Sequence, residues 1–222
     1  MRHRWATISF LHWPYPAEEI QSRLPKGLEV EPWNGQAWVG LVPFEMTVRP
    51  PVGPGAVQFP ETNVRTYVVG PDGRPGVYFF SLDAASAAAV TTARTTWQLP
   101  YFLSRMAVEP TGDAVRYRSA RRRPGPVGAG HDLTVLPGTP LPHPDEFTHY
   151  LTARFTLWNI VAGAVMRTQA DHPPWELQHA EVRELREDLL AAAGLPAPVG
   201  EPRAHFSAGV DVRIGAPRRV RR

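Results

Sequence analysis

Apolar and polar residues alternate in several segments of this chain, as they do in strands. Within residues 62–69, Asn63, Arg65 and Tyr67 point to one side of the predicted strand, and the apolar or β-branched residues 64, 66 and 68 point to the other. With the acid just before the segment, the polar side consists of Glu61, Asn63, Arg65 and Tyr67. A charged strand face usually meets water, but in a small barrel it can line the interior. The alternation alone leaves both arrangements open.

Further segments rich in β-branched and aromatic residues also predict strands. They are residues 7–13, 36–48, 77–82, 106–108, 114–122, 133–135, 157–167, 175–183 and 206–214. The Gly- and Pro-rich residues 70–76 predict a turn that joins two of these strands into a hairpin. Residues 52–59 are expected to form a loop, and residues 124–144 a longer Pro/Gly-rich excursion.

About four helices are predicted between these strands, at residues 16–24, 84–97, 145–155 and 184–193. Pro16 suits a first helical turn, Asp83 can cap the second helix, and Gly194 suits the position after the last one. Many short antiparallel strands with a few inserted helices indicate the α+β class. A closed barrel or sandwich suits this number of strands.

The length and composition of the chain limit the number of domains, the class of protein and the kinds of site. A chain of 222 residues, 43% of them hydrophobic, is long enough for one core, and we expect a single domain over residues 1–217. No apolar run reaches the roughly 18 residues that span a bilayer, so a soluble, cytoplasmic protein is expected. The absence of cysteine excludes disulfides, thiolate metal sites and cysteine nucleophiles.

Basic residues are almost all arginine. The chain has 23 arginines and one lysine, Lys26, so an imine-forming amine has a single candidate. Two arginine runs, 121–123 and 218–222, are interpreted as a solvated loop and a basic C-terminal tail. A phosphate-binding patch is the alternative, but neither run has interleaved aromatics, and we expect neither nucleic acid nor a membrane as partner.

Long motifs distributed over nearly the whole chain carry a family resemblance. They are SFLHWP, WVGLVPF, FPETNVRTYV, GVYFFSLDA, ARTTWQLPY and HPPWELQHAEV. Together they resemble the YqjF-like bacterial family of unknown function, which in turn looks like a distant branch of the acetoacetate decarboxylase superfamily. Glu61, Asn63, Arg94 and Pro100 match that superfamily's motifs in the same order. The resemblance implies its antiparallel barrel or cone, with the polar face of residues 61–67 turned inward.

The departures from that superfamily matter as much as the matches. The resemblance places the imine-forming lysine directly after Pro100, where this chain has Tyr101. Val64 and Thr95 stand where the superfamily has further acids. A phenol forms no imine with a ketone, and Lys26 lies far from the motif. The resemblance therefore implies the barrel and its pocket and argues against Schiff-base decarboxylation.

The candidate site follows from these residues. We expect six ligand-binding residues: Glu61, Asn63, Arg65, Tyr67, Arg94 and Tyr101. Tyr101, Glu61 and Arg94 are the candidates for acid–base chemistry, because an arginine beside a tyrosine favours the phenolate. Two arginines could also form forked hydrogen bonds to a carboxylate. The structural alternative is a buried Glu–Arg pair that locks helix to strand.

Three functions stay open. The first is a binder of a small organic acid or oxyanion, the second a non-covalent acid–base enzyme acting on a small oxo or carboxylic acid. The third is an interaction protein that uses basic surface loops. The eight histidines lack the tight spacing of metal ligands, so no metal and no cofactor is expected. Homo-oligomer formation is left open.

Overall fold

The structure is a computed structural model that describes residues 1–49 and 55–220. These contain four helices: α1 (Ala17–Gln21), α2 (Ala87–Thr96), α3 (Glu146–Thr152) and α4 (Leu189–Ala192). The strands are β1 (Arg2–Pro16), β2 (Glu29–Val30), β3 (Gln36–Arg49), β4 (Val57–Val69), β5 (Pro75–Ala84), β6 (Tyr101–Thr111), β7 (Ala114–Arg123), β8 (Gly130–Pro140), β9 (Thr156–Val161), β10 (Ala164–Asp171), β11 (Leu177–Glu187), β12 (Arg203–Ile214) and β13 (Arg218–Arg219).

The strands form one curved sheet that closes into a ring. Neighbouring strands run in the order β5-β6-β7-β8-β11-β12-β1-β3-β4, and β4 pairs back onto β5. The β9–β10 hairpin bridges the ring, since β9 pairs with β5 and β10 with β12. The α+β prediction with a barrel or cone is thereby confirmed. Two pairings, β5–β6 and β5–β9, are parallel, and the other pairings are antiparallel.

The apolar core lies inside this ring and under its helices. One buried cluster includes Trp13, Leu41 and Leu133, and it packs against α4 through Leu189 and Leu190. Close packing also requires glycine at position 76, because a Cβ there would lie 2.5 Å from the carbonyl oxygen of Thr156. Side chains from distant strands therefore meet at defined positions. Within the described residues, no helix is long and apolar enough to cross a membrane.

Several predicted element boundaries are corrected. Residues 130–140 form the full strand β8 rather than a loop with a three-residue strand. The predicted strand 157–167 is a hairpin, because Ala162 and Gly163 adopt positive φ angles of 48° and 77°. The predicted helix 184–193 shrinks to α4, since β11 continues to Glu187. Of the predicted loop 52–59, residues 52–54 lie outside the described residues, and β4 begins at Val57.

Arg121, predicted to lie in a solvated loop, is buried inside the ring. Its guanidinium contacts the carboxylate of Asp83 through two bonds of 2.8 Å, and neither side chain is exposed. Ser104 donates a further hydrogen bond to Asp83, and the guanidinium lies 3.7 Å from the Phe102 ring centroid. Asp83 therefore does not cap α2; the Ser86 hydroxyl accepts the capping bond instead. The prediction was wrong because Arg121 was interpreted as one of a run of three arginines, and the alternation of inward and outward residues along β7 was not applied to it.

Residues at the C-terminal end also join the sheet. Arg218 and Arg219, which the sequence places in a basic tail, form β13 against Met166 and Arg167 of β10. The backbone N–H of Val220 donates to the carbonyl oxygen of Val165. The remaining residues of that tail, 221 and 222, lie outside the described residues.

Candidate ligand cavity

A cavity of about 120 Å³ lies between the β9–β10 hairpin and the faces of β1, β3, β4 and β5 that point away from the interior of the ring. Its wall is mostly apolar and aromatic, with Trp5, Phe44, Phe79, Trp97 and Trp175 among the larger side chains. The polar residues of the wall are His3, Glu61, Asn63, Arg65, Tyr101, Arg154, Thr156 and Thr168. An apolar wall with a few polar groups is the usual composition of a small-molecule site.

Glu61 and Tyr101 form a hydrogen-bonded pair in this wall. The Tyr101 hydroxyl donates to Glu61 Oε2 at 3.0 Å. Glu61 is 3% exposed, and burial raises its pKa to about 8, against a smaller lowering by the Tyr101 hydrogen bond. The negative charge of Asp83 raises the same pKa further. Glu61 is therefore mostly protonated at neutral pH, and it can exchange a proton close to that pH.

The pKa of the Tyr101 phenol is raised, whereas the sequence predicted a lowered pKa. Burial raises it well above its ordinary value, and the Glu61 carboxyl raises it further. The phenol accordingly stays protonated and acts as a hydrogen-bond donor. The sequence predicts a phenolate favoured by a neighbouring arginine, but no guanidinium contacts this hydroxyl among the described residues.

The segment before β6 fixes the position of Tyr101. Gln98 has a positive φ of 51°, and its side-chain oxygen accepts a bond from the backbone N–H of Ala162. Asn159 donates to the carbonyl oxygen of Trp97 at 2.7 Å. The β9–β10 hairpin therefore holds the end of α2, from which the chain turns into β6. The Tyr101 ring is directed at β4 as a result.

Arg94 does not reach the cavity, which corrects its predicted place. Its side chain is exposed on the outer face of α2, and Nη1 donates to the backbone carbonyl of Tyr101 at 2.7 Å. It thus secures the backbone that carries Tyr101, from outside the ring. The alternative of a buried Glu61–Arg94 lock is also wrong, because Glu61 pairs with Tyr101.

Arg65 is the cation that faces the cavity. Its Nη2 atom donates to the Leu151 carbonyl at 3.2 Å and lies 3.5 Å from the Tyr67 hydroxyl. Within the part of the chain that the structure describes, no carboxylate lies within ion-pair distance of Arg65. The second arginine of the wall, Arg154, is neutralised by Glu31 at 2.7 Å. The cavity therefore contains one guanidinium without a counter-charge.

Tyr67 lies behind Arg65 rather than in the cavity wall. It is fully buried, and its hydroxyl donates to the Leu151 carbonyl. That leaves the hydroxyl oxygen to accept a bond from Nε2 of His12 at 2.6 Å. Burial lowers the pKa of His12 well below its ordinary value, and the Arg65 charge lowers it further, so the ring is neutral. Tyr67 and His12 hold Arg65 in position.

Polar atoms without hydrogen-bond partners concentrate in the same wall. Among the described residues, buried atoms of this kind include Asn63 Oδ1, Arg65 Nε, Trp5 Nε1, Thr168 Oγ1 and both ring nitrogens of His3. All five residues line the cavity. Buried polar groups are normally satisfied, so this concentration marks a place where a polar ligand can bind.

A second pocket, of about 350 Å³ and more open to solvent, lies on the other side of the Glu61–Tyr101 pair. It is lined by apolar residues of β3 and β4, among them Val48 and Phe59, and by Ala89 and Ala93 of α2. His3, Met46, Glu61, Trp97, Leu99 and Tyr101 border both pockets. The hydrogen-bonded pair therefore stands between the inner cavity and an outer opening.

Sequence reasoning found three of the polar wall residues on one strand, Glu61, Asn63 and Arg65, together with Tyr101. It missed four others, which come from β1, the loop after α3, β9 and β10: His3, Arg154, Thr156 and Thr168. No local pattern marks them, because their proximity depends on how β1 and the segment from residue 154 to β10 pack against β4. In the parts of the chain that are described, no group of three His, Asp or Glu side chains could hold a metal ion.

Comparison with known proteins agrees with this architecture. The family DUF2071, described as an uncharacterized conserved protein, matches residues 2–211. The chain belongs to the DUF2071 family. It is 36% identical over 216 residues to the uncharacterized protein YqjF of Bacillus subtilis (strain 168), over 96% of this chain and 89% of that protein. The resemblance expected from the motifs is confirmed.

Solved structures similar to this DUF2071 protein share its fold at low sequence identity. The enduracididine biosynthesis enzyme MppR, complexed with pyruvate, matches with a TM-score of 0.71 and 13% identity, over 98% of this chain and 89% of that one. The acetoacetate decarboxylase of Legionella pneumophila matches with a TM-score of 0.64 and 14% identity, over 98% and 88%. These likenesses establish an acetoacetate decarboxylase-like fold.

Proposed function

We propose that the inner cavity binds a small organic acid without forming a covalent bond to it. The observation that carries this proposal is the position of Arg65, a cation in a mostly apolar cavity with no carboxylate partner among the described residues. Arg65 is half-buried, and a guanidinium that is partly removed from water without a counter-charge is costly, so binding of an anion there is favourable. A guanidinium also matches a carboxylate geometrically, through two parallel hydrogen bonds.

The protonation of Glu61 supports an anionic ligand. With a pKa of about 8, Glu61 is mostly uncharged at pH 7, so Arg65 determines the sign of the charge in the cavity. Arg65 lies four residues beyond Glu61 on β4, a separation of roughly 13 Å along an extended strand. A small acid with its carboxylate on Arg65 therefore has the Asn63 amide, two residues away on the same strand face, as its next polar neighbour, and Glu61 and Tyr101 lie further along the cavity.

The size of the cavity limits the ligand. About 120 Å³ is less than the roughly 300–1,000 Å³ typical of sites for drug-sized molecules. At about 10–15 Å³ for each water-sized group, it has room for a molecule of a few carbons. MppR, which has the same fold, is known as a complex with pyruvate, a 2-oxo acid of this size. Its likeness supports the ligand class.

The chain contains no amine suited to imine chemistry in this cavity. Its one lysine, Lys26, is exposed in the turn after α1. Tyr101 follows Pro100, and its phenol makes a hydrogen bond to Glu61 instead. The proposal is therefore limited to non-covalent recognition through Arg65, Asn63, Glu61 and Tyr101.

Calorimetric titration of matched acids and amides tests the proposal. Pyruvate and propionate should bind at pH 7, whereas pyruvamide and propionamide should not, because only the acids carry the charge that Arg65 receives. Affinity for the acids should fall above pH 8, by up to about tenfold per pH unit, since an ionised Glu61 repels a second anion. Equal binding of acids and amides would contradict the proposal.

A second candidate function is acid–base catalysis on a bound oxo acid. The observation in its favour is the pKa of Glu61, about 8, in a carboxyl that borders the cavity beside a phenol donor. Deuterium exchange at the methyl group of pyruvate in heavy water, followed by NMR, tests it. Exchange that is lost in Glu61→Gln supports an enzyme, and exchange at the buffer rate excludes this reaction.

A further inference from the structure

Three arginines lie side by side across neighbouring strands at one end of the ring. Arg2 of β1 is directly opposite Arg213 of β12 and, on its other side, directly opposite Arg49 of β3. Residues paired in this way have Cα atoms roughly 4.5–5.5 Å apart and side chains on the same face. We call Arg2, Arg49 and Arg213 the arginine row.

The arginine row lines an open pocket of about 560 Å³. Its other charged residues are Arg4, Asp171 and Asp211, so the lining has two more positive than negative charges. Asp211 lies 3.7 Å from Arg4. Within residues 1–49 and 55–220, no carboxylate lies within 4 Å of a guanidinium nitrogen of the arginine row. The row therefore has no close counter-charge.

The two histidines of this pocket add no charge at neutral pH. Burial lowers the pKa of His3 to about 4, and the positive N-terminus lowers it further. Burial also lowers the pKa of His172. In the neutral state each imidazole can still donate one hydrogen bond to a bound anion.

Like charges placed directly opposite each other in a sheet are destabilising. An oxyanion between the three guanidiniums would remove this repulsion and accept several forked hydrogen bonds. The side chains are exposed, so solvent and salt screen a single negative charge strongly. A ligand with several charged oxygens suits three guanidiniums better than a monocarboxylate does.

We propose that this pocket is a binding site for a multivalent oxyanion, with a diphosphate group as the best-matched chemistry. The site is separate from the inner cavity, since His3 is the residue common to the two linings. It uses neither Arg65 nor the Glu61–Tyr101 pair. Binding of an oxyanion in this pocket and binding of a small acid in the inner cavity are therefore independent of each other.

Titration with inorganic diphosphate at low ionic strength tests the site. The wild-type chain should bind diphosphate, and Arg2→Gln and Arg213→Gln should each weaken binding by at least about tenfold. Arg105→Gln is the matched control, because Arg105 is an exposed strand arginine without an ion pair among the described residues. It should change the affinity by less than twofold. Arg65→Met should also leave diphosphate binding intact.

Thermal unfolding of the same variants without ligand gives a second readout. Arg2→Gln should raise the melting temperature at low salt, because it relieves the repulsion within the arginine row, and added sodium chloride should reduce the difference. A purely structural role would lower the melting temperature instead. Absence of diphosphate binding, or an equal loss in Arg105→Gln, would overturn the proposal.

Discussion

Tyr101 donates a hydrogen bond of 3.0 Å to Glu61, forty residues earlier in the chain, at the boundary between the inner cavity and the more open second pocket. The bond joins the start of β6 to β4, which are not neighbours in the ring. A buried carboxyl and a partly buried phenol thus meet where a ligand would pass from the outer pocket to the inner cavity. Their protonation sets the charge of that passage.

The first prediction concerns stability and pH. The pKa of Glu61 is about 8 in the folded state, above its ordinary value of 4.5, so the folded chain holds this proton more tightly. The resulting stabilisation is fully present below about pH 4.5 and is lost as the pH rises through 8. Each unit of pKa difference corresponds to about 1.4 kcal/mol.

Glu61→Gln isolates this contribution, since glutamine does not titrate. The stability of the wild-type chain relative to Glu61→Gln should fall steadily between pH 5 and pH 8, as measured by urea unfolding. The comparison is needed because buried histidines such as His131, whose pKa is lowered to about 4 by burial, give the opposite slope. A constant difference between the two proteins would show that Glu61 titrates normally.

The second prediction concerns the hydrogen bond itself. The Tyr101 hydroxyl lowers the pKa of Glu61, so Tyr101→Phe should raise that pKa above about 8. Carbon-13 NMR of the glutamate carboxyls, with Glu61→Gln for assignment, measures the change. Tyr78→Phe is the control, because Tyr78 is half-buried and its hydroxyl makes no hydrogen bond within the described residues. Identical titration of Glu61 in both variants would contradict the role of Tyr101.

The third prediction concerns the pair of Asp83 and Arg121. Because both side chains are completely buried, Asp83→Asn should lower the free energy of unfolding by about 3–5 kcal/mol. Arg118→Gln, which breaks an exposed pair with Glu109, should cost less than about 1 kcal/mol. Denaturant unfolding measures both. A similar small effect of the two substitutions would mean that the buried pair contributes no more than a surface pair.

The fourth prediction is the absence of an imine. Incubation with pyruvate or acetoacetate and sodium borohydride should leave no reduced adduct on a residue of the inner cavity, because no amine lines it. Mass spectrometry of the digested protein locates any adduct. Labelling confined to the exposed Lys26 or the N-terminal amine is consistent with the account, whereas an adduct on a cavity residue contradicts it.

Strand alternation was sufficient to predict part of the site. The period of two put Glu61, Asn63 and Arg65 on one strand face, and these residues line the cavity together with Tyr101, which the motif around Pro100 had added. The same alternation, continued through Tyr117 and Ser119, would have turned Arg121 inward. Its place in a run of three arginines concealed that signal.

The positions of the other residues depend on tertiary packing, which the sequence pattern does not show. Arg94 was placed in the pocket because its motif position suggested it, but the face that α2 turns towards the ring depends on Val90 and neighbouring strands. The partner of Arg121 could not be inferred from the sequence, because Asp83 lies 38 residues away. Its position just before a predicted helix also suggested that it caps that helix. His3 reaches the cavity through the pairing of β1 with β3 and β12.

The central claim is that Arg65 receives the carboxylate of a small acid in the inner cavity. The most direct test compares Arg65→Met with Arg94→Met in calorimetric titrations of pyruvate at pH 7. Both substitutions remove one guanidinium, but only Arg65 borders the cavity. We predict that Arg65→Met abolishes binding, whereas Arg94→Met retains it within about threefold. Undiminished binding in Arg65→Met would contradict the account.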